Sequence, residues 1–317
     1  MSPADLEAAR VLEAGLATYS RVIRKLPGVS TAGSCQALAK QIVESIRRVR
    51  FVSVIRDMDL SPLRKDPSSD LFDPVRAAVL HSRSGAVEEA FWLVFLSVHF
   101  GKSFRTGWRL ARDVYGALGD GQRWDWRRTS SNPMAFRSWL EDRQLILQGR
   151  DGVARRFGNH RKYESLSASS DNGTGNVIQS YVDWVMGHGS HSALLESVMA
   201  KAAGDSRTAF HLLYQSIRAV RRFGRTAKFD YLTMIGKIGL GSIEPGYAYL
   251  REATGPLRGA RLLFGGDAAG KQSPDDLEVL IRNLVAELNV GAMAMQVMED
   301  ALCNWQKSPD EFVPFRG

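Results

Sequence analysis

Cationic and aromatic side chains are interleaved in the middle of this chain, in a pattern suited to binding nucleic acid. Residues 102–164 contain 14 Lys and Arg against seven Asp and Glu. Lysine and arginine displace the counterions of phosphates, and flat rings accept unstacked bases. The segment therefore predicts a polyanionic partner, although rings that only build a core beneath surface arginines would give the same pattern. Its aromatic residues are Phe104, Trp108, Tyr115, Trp124, Trp126, Phe136, Trp139, Phe157 and Tyr163.

Two glycines closer to the C-terminus predict a second contact with a phosphate. Pro245 suits the first turn of a helix that ends near Glu252. Gly255 and Gly259 would then bracket a tight hairpin before a short helix at residues 260–264. Glycine lets a backbone approach a phosphate closely, and the amides that begin a helix bind anions. An ordinary turn between two helices would use glycine in the same way.

Several familiar motifs are incomplete in this sequence. Lys102 and Ser103 resemble the end of a phosphate-binding loop, but the first glycine of that loop is absent. His188 and His191 have no third metal ligand nearby, so the pair predicts a surface turn. The two cysteines cannot form a disulfide framework or a four-thiolate metal site. We expect neither a metal nor a cofactor.

The elements that must position these residues are helices. Apolar residues recur at spacings of three and four along almost the whole chain, and no alternating run predicts a strand. The fold class is therefore predicted to be all-α. Helices are expected at residues 5–24, 35–54, 74–81, 86–99, 105–118, 133–141, 177–186, 190–203, 206–223, 276–288 and 293–305. Loops rich in Gly, Ser, Asp and Pro are expected at residues 59–70, 119–132, 149–174 and 265–274.

Length and composition are typical of a globular protein. The chain has 317 residues, a net charge of +8 and 44% hydrophobic residues. Its longest apolar run, residues 90–100, is about half of what a membrane helix needs, so we expect a buried core helix. No signal peptide is evident, which predicts a soluble cytoplasmic protein without a membrane partner. We expect a region at residues 1–205 and a second at residues 206–317, within one interlocked fold.

Residues 209–309 resemble the helix-hairpin-helix DNA glycosylases of the endonuclease III and adenine-glycosylase superfamily. Gly224 and Lys228 match the superfamily's first element, and residues 255–260 match its hairpin with one residue fewer. Asp276 lies 16 residues beyond Ala260, where the superfamily has an aspartate at the start of a helix.

Over a longer span the sequence is similar to a family of α-glutamyl/putrescinyl thymine pyrophosphorylase-like proteins. The similarity lies in residues 91–102, 157–163, 223–231, 259–264 and 302–309. The sequence is also similar to bacterial defence glycosylases that excise glucosylated hydroxymethylcytosine. These resemblances agree on a bulky modified pyrimidine in DNA as the substrate.

The resemblance implies a monofunctional DNA glycosylase. Such an enzyme takes the base out of double-stranded DNA and stabilises the sugar cation with a carboxylate, leaving an abasic site. Asp276 is the first candidate for that carboxylate, Asp275 and Asp267 are its rivals, and Asp230 is a further choice. Bifunctional members place a lysine in the hairpin, where this chain has Arg258 and Gly259; arginine is a poor nucleophile.

The resemblance also implies which residues bind DNA and which form a base pocket. Those expected at the DNA are Gly255, Leu257, Arg258, Gly259, Arg261, Lys228 and Arg225. Those expected at the pocket are His99, Lys102, Asn159, His160 and Tyr163. Alternatively, Asn159 and His160 cap a loop, and His99 is a hydrogen-bonded core histidine.

Two other functions remain open at this point. The chain could be a transferase that builds hypermodified thymine in DNA by displacing pyrophosphate from an activated hydroxymethyl group. It could also be a module that only binds modified DNA, which would need a basic surface but no carboxylate.

Overall fold

The computed structural model describes residues 1–314, and every regular element in that range is helical, which confirms the all-α prediction. The α-helices are α1 (Pro3–Val22), α2 (Ala32–Asp57), α3 (Pro74–Arg83), α4 (Val87–Phe100), α5 (Arg109–Tyr115), α6 (Trp126–Ser131), α7 (Pro133–Leu147), α8 (Thr174–Met186), α9 (His191–Lys201), α10 (Ser206–Ser216), α11 (Arg225–Lys237), α12 (Thr254–Gly265), α13 (Pro274–Leu288) and α14 (Ala294–Trp305). Short 3-10 helices lie at Pro27–Val29, Pro62–Lys65, Ala117–Gly119, Asn159–Arg161, Ile217–Ala219 and Leu250–Glu252.

Side-chain caps fix where many of these helices begin. Asp73 accepts hydrogen bonds from two backbone N–H groups of the first turn of α3, and Pro74 follows it at the first helical position. Ser273 and Pro274 begin α13 in the same way. Asp125, Asn132, Ser190 and Asp205 cap α6, α7, α9 and α10. The positions of these helices are therefore encoded locally.

Packing divides the chain into two compact units. Unit 1 comprises Met1–Ser53 together with the chain from Glu244 onward, and unit 2 comprises Val54–Ile243. Residues 206–317 contribute to both units, because α10 and α11 belong to unit 2 and α12, α13 and α14 to unit 1. The predicted boundary between residues 205 and 206 separates regions with different sequence motifs and not packing units. It therefore stays a prediction.

The core of unit 1 joins the two ends of the chain. Its fully buried residues include Leu16 of α1, Leu38 of α2, Leu263 of α12, Ile281 of α13 and Trp305 of α14. Helices made at opposite ends of the sequence therefore share one apolar interior.

The core of unit 2 is built around α4. Residues 90–100 are buried, as expected for a core helix. The ring of Phe95 stacks on Tyr181 of α8 with centroids 3.7 Å apart, and it also stacks on Phe223 at 5.2 Å. No helix within residues 1–314 combines the length and the apolar character needed to cross a membrane.

The predicted glycine hairpin is wrong, because residues 254–265 form one continuous helix, α12. Gly255 and Gly259 lie inside it, facing α14. A Cβ at Gly255 would lie 2.7 Å from the Cys303 sulfur, and one at Gly259 would lie 2.3 Å from the Leu302 carbonyl oxygen. The two glycines thus allow two helices to pack closely.

The helix expected from Pro245 to Glu252 is also absent; its place is taken by turns and the 3-10 helix Leu250–Glu252. The buried carboxylate of Glu278 accepts the backbone N–H groups of Ala248 and Leu250, at 2.8 and 2.7 Å. A side chain therefore supplies the acceptors that a helix would have provided.

Candidate functional site

Asp230 of α11 lies in unit 2 among cationic side chains. Its side chain is 47% exposed, and its Oδ2 is 3.8 Å from Nη2 of Arg161. The charges of Lys237, Arg225 and His160 also act on it. We call these five residues the Asp230 site.

The carboxylate of Asp230 is electrostatically unusual. Partial desolvation by the surrounding protein raises the pKa of this half-exposed carboxyl, because its charged form loses part of its hydration. The positive charges of Arg161, Lys237 and Arg225 act in the opposite direction without cancelling this effect. Asp230 therefore takes up a proton more readily than an ordinary aspartate, in surroundings that attract anions.

A backbone contact places Arg161 beside Asp230. The Gly158 N–H donates to the Phe100 carbonyl oxygen at 2.8 Å, and a Cβ at Gly158 would lie 2.7 Å from the carbonyl carbon of Gly101. This contact docks the 3-10 helix Asn159–Arg161 against the end of α4. Nε of Arg161 then donates to the Val98 carbonyl oxygen at 2.9 Å, and the Arg161 side chain is only 10% exposed. The guanidinium is thus held in one position.

The beginning of α11 adds positive potential. Gly224 is its N-cap, and no described side chain caps that end. A helix N-terminus carries a partial positive charge and binds anions. Space is open at Gly224, since a Cβ there would meet nothing within 4 Å. Arg225 follows directly, packed over the Phe229 ring at 4.8 Å.

Several predicted pocket residues lie on the loop that carries Arg161 or at the end of α4 against which it packs. Asn159, His160 and Tyr163 are exposed on the docked loop, and Lys102 is exposed just beyond α4. Tyr163 is 81% exposed, and Nζ of Lys162 lies 5.0 Å from its ring centroid. A role for these residues in holding a base stays a prediction.

Two of the predicted residues face the protein interior. His99 is buried, its Nε2 lies 3.0 Å from the Thr174 hydroxyl oxygen, and burial lowers its pKa to about 3. These are the properties of a core histidine. Lys228 is also buried, with Nζ 4.4 Å from the Tyr214 ring centroid, so its ammonium is directed away from solvent.

The other three candidate carboxylates belong to unit 1. Asp275 and Asp276 are exposed on the first turn of α13. Asp275 pairs with Arg251 at 2.6 Å, and the Asp276 N–H donates to Ser273 Oγ at 3.3 Å. The exposed Asp267 accepts the Ala269 N–H at 2.8 Å. These are ordinary interactions of helix ends and turns, and a catalytic role for any of the three stays a prediction.

The remaining predicted DNA-binding residues lie on α12. Leu257 packs against the core of unit 1, whereas Arg258 is exposed. Arg261 is half-buried and donates to the Gln272 carbonyl oxygen at 3.4 Å. Of these three, Arg258 presents its charge to solvent.

Most aromatic rings of residues 102–164 build the core. Tyr115, Trp124, Trp126 and Phe136 are buried, and of the nine rings only Phe104 and Tyr163 are exposed. The alternative interpretation, rings beneath surface arginines, therefore applies to most of the segment.

A buried chain of hydrogen bonds was missed in the sequence. His191 lies in the core of unit 2, so a surface turn is wrong for this residue. Its Nδ1 is 2.7 Å from Glu88, its Nε2 is 2.7 Å from the Tyr181 hydroxyl, and that hydroxyl is 2.9 Å from Tyr231. Its last member, Tyr231, follows Asp230 on α11, so these hydrogen bonds connect α11 to α8 and α9.

Residues 1–314 contain no cluster of three or more His, Cys, Asp or Glu side chains that could hold a metal.

These features define an all-α protein in which a carboxylate of α11 is set among cations. Residues 33–317 match the family described as alpha-glutamyl/putrescinyl thymine pyrophosphorylase clade 3. The chain belongs to this family, whose description indicates an enzyme that acts on a modified base of DNA. No curated protein and no solved structure matches the chain.

Proposed function

We propose that this protein replaces the pyrophosphate of an activated hydroxymethyl group on a thymine-type base in DNA with an amine. The observation that carries the proposal is the Asp230 carboxylate with the cations Arg161, Lys237 and Arg225 around it. The family description supports the substrate, since it names glutamyl and putrescinyl thymine and pyrophosphate.

The reaction needs one proton acceptor and one anion site. The amine nitrogen forms a bond to the methylene carbon, and the bond from that carbon to oxygen breaks. Pyrophosphate leaves with the electron pair. Asp230 accepts the proton that the nitrogen releases, and a raised pKa makes it a better general base. Arg161, Arg225 and Lys237 neutralise the negative charge that develops on the leaving group.

Charge favours this reaction over hydrolysis of the glycosidic bond. A glycosylase must stabilise a cationic sugar, and cations beside the carboxylate oppose that. Cations at the site therefore favour a departing pyrophosphate and disfavour a sugar cation, an effect that solvent screening reduces because Asp230 is half-exposed.

A monofunctional DNA glycosylase is the second candidate. The half-exposed carboxylate of Asp230 favours it, because a carboxylate beneath the sugar is what that chemistry needs. The enzyme would remove a bulky modified pyrimidine such as glucosylated hydroxymethylcytosine from phage DNA, leaving an abasic site. Its biological role would be defence against phage.

Mass spectrometry of the DNA and of the released small molecules separates the possibilities. The protein is incubated with a duplex containing pyrophosphorylated hydroxymethyluracil, with and without an amine, and with a duplex containing glucosylated hydroxymethylcytosine. Pyrophosphate release with a heavier, amine-bearing base supports the transferase. A free base and an abasic site support the glycosylase. Binding without any product on either duplex leaves the non-catalytic DNA-binding module.

Asp230→Asn should lower the transfer rate by roughly 10²–10⁴-fold, because it removes the general base. DNA affinity should be kept or increased, since a negative charge disappears among cations. The wild-type rate should rise with pH through a group whose pKa lies above the usual 3.8 of aspartate. Single-turnover rates across pH measure both effects.

Asp276→Asn is the matched control and should keep nearly full activity. A loss confined to Asp276→Asn, with Asp230→Asn active, would overturn the assignment to Asp230.

A further inference from the structure

Phe104 lies exposed to solvent on a turn of unit 2 that several hydrogen bonds stabilise. Its side chain is 91% exposed, the highest value of any large hydrophobic residue within residues 1–314. The Ser103 N–H donates to the Gly107 carbonyl oxygen at 3.0 Å, and the Gly107 N–H donates back at 2.9 Å. The Ser103 hydroxyl oxygen also accepts the N–H groups of Arg105 and Thr106, both at 3.3 Å. A turn closed by four hydrogen bonds thus presents a phenyl ring to water.

The surroundings of the turn are cationic. Lys102, Arg105 and Arg109 are exposed beside it. Behind it lies a cavity of about 480 Å³ whose lining includes Lys102, Thr106 and Arg109. The two aspartates of that lining form ion pairs with arginines. Nη1 of Arg112 lies 2.5 Å from Oδ1 of Asp70, and Nη1 of Arg76 lies 2.5 Å from Oδ2 of Asp73. The charge beside the turn therefore complements a polyanion.

The turn is connected to the Asp230 site through one backbone contact. Gly101 touches Gly158 through the backbone, and Phe104 follows Gly101 by three residues. Three residues span at most about 11 Å. On the other side of the contact, Arg161 follows Gly158 by three residues and approaches Asp230. One backbone contact therefore links the exposed ring to the carboxylate.

We propose that Phe104 inserts into double-stranded DNA and fills the gap left when the target base enters the Asp230 site. This inference rests on the proposed function, in which a DNA base reacts at Asp230. A base must leave the stack before an enzyme can reach it, and apolar side chains inserted between base steps unstack the duplex. Lys102, Arg105 and Arg109 would bind the flanking phosphates.

The experiment compares Phe104→Ala, Phe104→Leu and the wild-type protein on one sequence in duplex and single-stranded form. Both DNAs carry pyrophosphorylated hydroxymethyluracil with 2-aminopurine as its neighbour, whose fluorescence rises when stacking is lost. Phe51→Ala is the matched control, because Phe51 is 56% exposed and belongs to unit 1.

For Phe104→Ala we expect the fluorescence rise on duplex DNA to disappear and the duplex rate to fall 10- to 100-fold. The rate on single-stranded DNA should stay within about twofold of wild type, since no gap needs filling there. Phe104→Leu should recover most of the duplex rate, and Phe51→Ala should behave as wild type. Melting temperatures should be equal, because the ring is exposed.

Two results would overturn the inference while leaving the proposed function intact. One is an active Phe104→Ala with wild-type duplex rate and fluorescence. The other is an equal loss on duplex and single-stranded DNA. A wild-type protein that makes no product from either DNA would instead refute the proposed function, and the fluorescence rise would then report insertion alone.

Discussion

At the scale of single residues, function depends on which charged side chains the fold brings close to one another. The sequence places Asp230 last among four candidate aspartates, because spacing from the predicted glycine hairpin favours Asp276. Its neighbours His160 and Arg161 come from a loop about 70 residues earlier, which no local pattern connects to it. One sequence pattern does indicate a cation near Asp230. Lys237 lies seven residues after it, a spacing that places both residues on the same face of a helix.

Acid should destabilise the folded protein through His99. Burial lowers its pKa to about 3 from the ordinary 6.5, so the unfolded state binds more protons below about pH 6.5. Stability is therefore present above that pH and is lost as the pH falls toward 3. His99→Gln should melt at a lower temperature than wild type at pH 7 but lose less stability between pH 7 and 4. Calorimetry at a series of pH values measures both slopes.

His188→Gln provides the control for this measurement. The His188 side chain is exposed in the folded protein, so its replacement should leave the melting temperature at pH 7 as in wild type. Burial also lowers the pKa of His81 and His191, so some slope should persist in His99→Gln. Identical slopes for wild type and His99→Gln would contradict the assignment.

At the scale of elements, local signals locate helices but do not decide what a glycine does. Residues 74–81 and 86–99 were expected to be helical and lie within one residue or two of α3 and α4, because caps and apolar spacing are local. Gly255 and Gly259 predicted a turn, yet they lie in α12. The decisive contacts come from α14, more than 40 residues later. Sequence alone cannot separate a glycine that turns the chain from one that admits a neighbouring helix.

The contact between Gly101 and Gly158 should be sensitive to a single methyl group. In Gly158→Ala the new Cβ would lie 2.7 Å from the Gly101 carbonyl carbon and 2.9 Å from the Lys102 nitrogen, so backbone must move. We expect a loss of about 1–3 kcal/mol in the free energy of unfolding, measured in urea. Activity should fall as well, because Arg161 would shift from Asp230.

Gly224→Ala tests the same substitution where space is open. No described atom lies within 4 Å of its added Cβ, so only the loss of a glycine N-cap should lower the free energy of unfolding, by less than about 1 kcal/mol. Equal effects of the two substitutions would show that the close contact contributes nothing to the fold.

At the scale of the whole molecule, the net charge of a segment does not tell which of its cations lie at the surface. The excess of positive charge in residues 102–164 is real, but Arg155 is buried in ion pairs with Asp113 and Asp151. Other cations of the segment, such as Lys102 and Arg105, are exposed. Composition could therefore indicate a polyanion, whereas the residues that meet it depend on the tertiary structure.

Binding to DNA should weaken steeply with salt. If about six or more phosphates are contacted, affinity should fall by roughly 10³-fold or more between 50 and 200 mM salt, because counterions are released on binding. Titration of a fluorescent duplex at several salt concentrations gives the slope. An affinity that is flat with salt would exclude DNA as the partner of this surface.

The composition of unit 1 has a consequence for how the protein is made. Its core joins α1 and α2, which leave the ribosome before unit 2, to α12, α13 and α14, which leave it after unit 2. All of unit 2 is synthesised in between, at about 5–20 residues per second. The apolar faces of α1 and α2 therefore remain without the helices they pack against for on the order of 10 s or more. Unit 2 is continuous in sequence and can fold while they wait. The apolar faces of α1 and α2 therefore stay exposed longest, and they become buried only after α12, α13 and α14 have been synthesised.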